Sequence, residues 1–120
     1  MEDKKPLVLI AEDDRGVAPI LREIVEERLG ARVRLVETAT EAICPDAEVP
    51  VVVLTAIGLA DGKTAGFGVV DHFVALGVPV VVVSGSPTSK VSAMQKGALV
   101  FIEKPFGAAD LIRAIQPYLV

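Results

Sequence analysis

Three short segments of this sequence carry side chains that together could hold a divalent cation and a phosphoryl group. An acidic pair, Glu12 and Asp13, directly follows one apolar run. Ser84 and Gly85 follow a second apolar run, and Lys104 follows a third. Mg²⁺ prefers carboxylate oxygens, whereas hydroxyl and ammonium groups can bind the oxygens of a phosphoryl group. If the fold brings these segments together, the pattern predicts a site for Mg²⁺ and a phosphoryl group.

Each segment also has an ordinary explanation when it is considered alone. Asp14, beside the acidic pair, is expected to cap the N-terminus of a helix. A serine followed by a glycine, as at Ser84, is common in turns, and a single lysine at a strand end is usually a solvated charge. The functional interpretation therefore depends on the three segments meeting at one edge of a sheet.

Five short apolar runs predict the strands that would position these segments. Most of the runs are continuous and rich in β-branched residues, which is typical of parallel strands buried on both faces. The second run alternates apolar and polar residues, so we expect it at an edge of the sheet. The runs are Leu7–Ala11, Val33–Val36, Val51–Leu54, Val80–Val83 and Leu99–Ile102.

Apolar residues at helical spacing lie between the strands and predict the helices. Long stripes begin at Val17, Val69 and Ala108, and shorter helices are predicted over Val91–Lys96 and Thr38–Cys44. Strands that alternate with helices favour a parallel sheet with helices on both faces, because parallel crossovers are right-handed. In such folds ligands bind beyond the carboxyl ends of the central strands, which is where the three segments lie.

Composition limits the class of protein. The 120 residues suit one domain over positions 1–120, with 52% apolar and 23% charged residues. The net charge of −4 lacks the basic character of a nucleic-acid-binding domain. No apolar run is long enough to span a membrane, and the charged segment Met1–Pro6 has no signal-peptide pattern, so we expect a cytoplasmic protein.

The single cysteine and the single histidine exclude two further classes of site. Cys44 cannot form an internal disulfide, and we expect it to be a buried or half-buried filler. His72 cannot form a multi-histidine metal site, and we expect it to face solvent on the third helix.

The motifs, in their order and spacing, resemble the CheY-like receiver domain of two-component response regulators. The resemblance covers essentially the whole chain and rests on the acidic pair, on Ser84-Gly85 and on the Lys104-Pro105-Phe106 signature. It implies an α/β, flavodoxin-like/CheY-like doubly wound (βα)5 three-layer sandwich whose five-stranded parallel sheet has the order 2-1-3-4-5. It also implies a signalling domain that is not an enzyme.

The aspartate that accepts the phosphoryl group in this family is missing from the sequence. The segment Ile57-Gly58-Leu59-Ala60 fits the residues that follow the family's aspartate, so Ala56 occupies its position. A methyl group has no lone pair and cannot attack phosphorus. Thr55 should point to the opposite face of the strand, and Asp61 lies in a loop, so we expect neither to replace the aspartate.

The resemblance assigns roles to the remaining site residues. Mg²⁺ would be bound by Glu12, Asp13 and the backbone carbonyl of Gly58, more weakly because position 56 has no carboxylate. Ser84, Gly85 and Lys104 would bind the phosphoryl oxygens. Phe101 falls on the position of the family's switch aromatic and would turn inward when Ser84 moves.

The implied function is that of a single-domain receiver in a two-component phosphorelay. With aspartate at position 56 it would accept a phosphoryl group from a histidine kinase or a histidine phosphotransferase. It would then signal by protein contact through the face made by helix 4, strand 5 and helix 5, with no nucleic acid or membrane as partner. The Ala56 chain would be unable to take the phosphoryl group.

Two origins of Ala56 remain open, a natural loss and an engineered replacement, and retention of the other site residues favours an engineered or recent loss. A natural loss would make the chain a phosphate-independent pseudo-receiver that acts as a kinase-binding scaffold or decoy.

Two other classes of protein are disfavoured by the sequence. A flavodoxin-like cofactor binder would not place acidic residues 12–14 against phosphate, and a metal-dependent phosphatase would need a carboxylate where Ala56 stands.

Overall fold

Five strands lie at or within one residue of the predicted runs. The computed structural model describes residues 4–119, so the two ends of the predicted 1–120 domain, including residues 1–3 of the charged N-terminal segment, lie outside the described residues. The strands are β1 Leu7–Ala11, β2 Arg32–Val36, β3 Val52–Thr55, β4 Val80–Ser84 and β5 Val100–Glu103.

The strands form one parallel sheet of order β2-β1-β3-β4-β5, which confirms the predicted fold class and strand order. The register pairs Ala11 with Thr55, and Ser84 with Glu103, at the carboxyl ends of the strands. The same edge of the sheet therefore carries the acidic pair, the end of β3, Ser84 and Lys104. β2 lies at an edge of the sheet, as predicted, and most of its residues are partly exposed.

Within residues 4–119, five α-helices connect and follow the strands. They are α1 Ala18–Glu23, α2 Ala39–Ala42, α3 Ala65–Ala75, α4 Lys90–Gln95 and α5 Ala108–Ile115. α1 continues as a π-helical segment over Ile24–Arg28, and 3₁₀ turns precede α4 and follow α5. α5 ends before the predicted apolar stripe does, because Pro117 lies in the 3₁₀ turn and cannot donate a backbone hydrogen bond.

Side-chain alternation along the strands divides the core into two layers. Leu9, Val53 and Val82 face the helices α2, α3 and α4, whereas Ile10 and Leu54 face α1 and α5. The central strands are buried on both faces, which explains why their sequences are continuously apolar. Among the described residues, no helix is both long and apolar enough to cross a membrane.

Candidate functional site

A cavity of about 500 Å³ opens at the carboxyl ends of β1, β3 and β4. Most of the predicted site residues line it. They are Glu12, Asp13, Ala56, Gly58, Ser84, Gly85 and Lys104. The parallel register brings these residues together from four separate loops, although they are far apart in the sequence.

Phe101 lies elsewhere, on β5. It is half-buried, packs against the core on the α3 side, and lines a separate cavity with Asp110 and Arg113 of α5. The structure therefore places this residue beside the predicted output face and not in the site cavity.

Several residues of the cavity wall were not singled out in the sequence. Lys63, Thr64 and Phe67 come from the loop after β3 and the start of α3, and Ser86 and Ser89 come from the segment after β4. Lys63 is exposed and forms no ion pair with the described residues 4–119. Its position after a central strand is the signal that could have identified it.

Glu12 is the most deeply buried charged residue of the site. Only 2% of it is exposed, and its Oε1 atom lies 2.7 Å from the Lys104 ammonium nitrogen. Oε1 accepts no hydrogen bond in the described part of the chain, while Oε2 accepts one from the Asp14 N–H at 3.2 Å. A buried carboxylate is costly without a positive partner, so Lys104 neutralises the charge of Glu12 in this structure.

Asp14 does not cap α1, so that prediction is wrong. The N-cap position is Val17, which provides no side-chain hydrogen bond. Asp14 instead accepts a hydrogen bond from the Gly16 N–H at 2.8 Å through its Oδ1 atom, and its carbonyl accepts from the N–H groups of Val17 and Ala18. The carboxylate stabilises the turn that precedes the helix, because the helix begins later than the sequence suggested.

Ala56 lies in the wall of the cavity and is 4% exposed. Its N–H donates to the Ala11 carbonyl at 2.9 Å, and its carbonyl accepts a hydrogen bond of 2.8 Å from the Thr55 hydroxyl. Thr55 is buried and does not line the cavity. Its hydroxyl is thus used within the backbone and is not directed at the site.

Asp61 binds the N-terminus of α2 instead of pointing into the site. Its carboxylate accepts hydrogen bonds from the N–H of Ala39 at 3.0 Å and from the N–H of Thr40 at 3.2 Å. These bonds, above all the one from Ala39, lower the pKa of the Asp61 carboxyl below its ordinary value. The loop that carries it is closed by paired backbone hydrogen bonds between Leu59 and Gly62.

Replacing Asp61 should therefore destabilise the fold in a pH-dependent way. Because the pKa of this carboxyl is lower in the folded state, its contribution to stability is complete above the unfolded pKa and is lost as pH falls through the folded pKa. We expect Asp61→Asn to lower the free energy of unfolding at pH 7, with the difference shrinking below about pH 4. Urea melts across this range test it, with Asp46→Asn as the control, since Asp46 is exposed. A difference that does not change with pH would contradict the role of the charge.

Cys44 and His72 differ from their predicted environments. Cys44 is exposed and lies just beyond the end of α2. His72 is half-buried on α3, with its ring at the edge of the Phe73 ring, the two centroids being 4.8 Å apart. The prediction that Cys44 is a buried or half-buried filler is therefore wrong. The prediction that His72 faces solvent is incomplete, because its side chain is half-buried.

Gly66 sets the distance between α3 and the floor of the cavity. Its N–H donates to the Ile57 carbonyl at 2.7 Å, and a Cβ atom added to it would lie 2.0 Å from the Ala56 carbonyl oxygen. Only glycine allows the helix and the backbone after β3 to approach this closely.

Comparisons with known proteins agree with this geometry. A family model described as the response regulator receiver domain matches residues 8–116. The non-phosphorylated HemR receiver domain from Leptospira biflexa is 25% identical, with a TM-score of 0.79 over 96% of this chain and 94% of that chain. A CheY-like receiver domain protein from Methanospirillum hungatei is 27% identical, with a TM-score of 0.79 over 98% of this chain and 94% of that chain.

A more distant structure shares the fold alone. The receiver domain of the sensor histidine kinase PA1611 from Pseudomonas aeruginosa, which has a magnesium ion coordinated in its active site cleft, is 20% identical. Its TM-score is 0.82 over 96% of this chain and 98% of that chain. No curated protein sequence matches significantly. Since the family model spans nearly all of the sequence and the fold agrees with it, the chain belongs to the response regulator receiver domain family.

Proposed function

We propose that this chain is a receiver that cannot take a phosphoryl group in its present form, because Ala56 occupies the phosphoacceptor position. Receiver domains are in general signalling domains and not enzymes. The observation that carries the proposal is the place of Ala56, at the end of β3 in the same cavity as Glu12, Asp13 and Lys104. The nearby hydroxyl and carboxylate, Thr55 and Asp61, are both bound to the backbone.

With aspartate at position 56, the site would transfer a phosphoryl group from a phosphohistidine. The phosphorus–nitrogen bond to the histidine of a kinase or phosphotransferase would break as a bond to the aspartate oxygen forms. Ser84, Gly85 and Lys104 line the cavity and would bind the phosphoryl oxygens.

The residues present fit a divalent cation only in part. The buried Oε1 of Glu12 accepts no hydrogen bond from residues 4–119, and this oxygen and the carboxylate of Asp13 suit Mg²⁺. The Gly58 carbonyl would complete the protein ligands. A third carboxylate is missing at Ala56, and among residues 4–119 no group of three acidic, histidine or cysteine side chains could hold a metal. When bound, Mg²⁺ would neutralise phosphoryl oxygens, and we expect it to bind weakly here.

The output of the proposed receiver is a protein contact through the face of α4, β5 and α5. Val91, Met94 and Leu99 are exposed large apolar side chains on this part of the molecule, and Phe101 lies on β5.

Residues 1–120 would form one receiver domain. An exposed free thiol at Cys44 suits the cytoplasm, where thiols stay reduced.

A second function is favoured by the ion pair between Glu12 and Lys104, which neutralises the buried Glu12 carboxylate without a phosphoryl group. The chain would then be a phosphate-independent pseudo-receiver that binds a histidine kinase as a scaffold or decoy. Equal affinity of a partner kinase for the unaltered chain and for phosphorylated Ala56→Asp would favour this second function. A clear preference for the phosphorylated form would favour the first.

The proposed function is tested by incubating the chain with acetyl phosphate and Mg²⁺ and measuring its intact mass. We expect no gain of mass corresponding to a phosphoryl group, because the cavity holds no free nucleophile at position 56. A stoichiometric gain would mean that another residue accepts the group and that position 56 is misassigned. Peptide mapping would then locate it.

A further inference from the structure

The ammonium group of Lys104 contacts Oε1 of Glu12, an oxygen that could otherwise bind a metal ion. Its nitrogen is 2.7 Å from Oε1 of Glu12, and Glu12 is buried while the Lys104 side chain is 22% exposed. Oε1 accepts no hydrogen bond in the described residues. The contact is therefore an ion pair, and it lies in the same cavity that Asp13 lines.

Position 56 offers Lys104 no carboxylate as an alternative partner to Glu12. The cavity wall at the end of β3 is a methyl group, so Lys104 has no acidic partner there. Among the described residues, Lys104 forms an ion pair with Glu12 alone. Burial strengthens the attraction between the two charges, because water screens them less than at the surface.

We infer that Lys104 acts in this chain as a built-in counter-cation that closes the divalent-cation site. A Mg²⁺ ion binds oxygen at about 2.0–2.1 Å and repels a neighbouring ammonium group, so Mg²⁺ would compete with Lys104 for Oε1. A Lys104 side chain that left Glu12 would find no carboxylate on the cavity wall at position 56. The inference rests on the proposed function only through the assignment of Ala56 to that position.

The test is a calorimetric Mg²⁺ titration of Lys104→Met in the Ala56 chain. We expect Mg²⁺ to bind about tenfold more tightly than to the unaltered chain, since Oε1 is then free. The matched control is Lys63→Met, which removes the same charge from the same cavity wall. Lys63 is exposed and does not contact Glu12, so we expect its removal to tighten binding by less than about threefold.

Thermal unfolding supplies a second readout. Lys104→Met leaves a buried carboxylate without its partner, so its melting temperature in chelator should fall, and millimolar Mg²⁺ should raise it more than it raises that of the unaltered chain. Equal Mg²⁺ affinities for Lys104→Met and Lys63→Met would overturn the inference, because the effect would then be one of net charge. Unchanged affinity in both variants would also overturn it.

A measurement on the unaltered chain covers the case in which Lys104→Met does not fold. With isotope-labelled lysine, the side-chain signal of Lys104 should move in a saturable manner as Mg²⁺ is added, while that of Lys63 stays nearly constant. A Lys104 signal that does not move at saturating Mg²⁺ would overturn the inference. Failure here leaves the proposed function intact, whereas phosphorylation of the Ala56 chain would overturn the proposed function and leave the titration result unchanged.

Discussion

Ala56→Asp should convert the chain from one that takes no phosphoryl group into one that is labelled close to stoichiometrically by acetyl phosphate and Mg²⁺. The new carboxylate would enter the cavity beside Asp13 and Lys104, where it supplies both the nucleophile and the missing metal ligand. It would also offer Lys104 a second acidic partner and so release Glu12 for the cation. Intact-mass measurement before and after incubation gives the result directly.

The control for this gain is Ala56→Asn, which has nearly the shape of aspartate but carries no ionised oxygen. We expect no labelling of that variant. In the Ala56→Asp background, a further Lys104→Met change should reduce labelling, because an ammonium group that stabilises the phosphoryl oxygens is lost. Labelling of Ala56→Asn at the same level as Ala56→Asp would contradict the assignment of position 56.

Gly66→Ala should destabilise the fold by about 3 kcal/mol, the upper end of what overpacking a close contact costs. The added Cβ atom would lie 2.0 Å from the Ala56 carbonyl oxygen and 2.6 Å from the Ile57 Cα atom. Both are backbone atoms, so no side-chain rotation can relieve the clash, and α3 must move away from the site. Urea melts of the purified variant measure the change in the free energy of unfolding.

The matched control lies two residues further along the same helix. A Cβ atom added at Gly68 meets no atom within 4 Å, so Gly68→Ala changes only helix propensity and should stabilise the chain by up to about 1 kcal/mol. The two substitutions therefore have opposite expected signs although they add the same methyl group. A Gly66→Ala variant as stable as Gly68→Ala would show that α3 does not approach the cavity floor as closely as described.

The sheet, and the edge at which several residues of the candidate site meet, could be predicted from the sequence. Continuous β-branched runs form parallel strands because both faces are covered by helices, and the carboxyl ends of such strands share one edge. The places of Glu12, Ser84 and Lys104 follow from that edge, since each residue comes at or just after the end of its strand. These relations depend on local periodicity and chain order, both of which can be read directly from a sequence.

The partners of individual side chains depended on the tertiary structure. The Asp61 carboxylate lies at the N-terminus of α2 because the loop after β3 folds back as a tight paired turn. The Asp61-Gly62 dipeptide is typical of a turn, but no local pattern indicates which helix the carboxylate contacts. Asp14 does not occupy its predicted cap position because the helix begins at Ala18, and Cys44 is exposed just beyond the end of α2. Each of these outcomes depends on where a loop passes in space, and loops lack the periodicity that marks strands and helices.

The ion pair of the site shows most clearly what the sequence determines and what only the tertiary structure decides. The sequence contains two acidic residues, a lysine and an alanine at four positions of the predicted site, but it does not say which acid the lysine contacts. The pairing of Lys104 with Glu12 is decided by burial: Glu12 is 2% exposed and needs a positive neighbour, while Asp13 is partly exposed and can be hydrated. Desolvation depends on the whole packed structure around an atom, which is why only the tertiary structure could decide it.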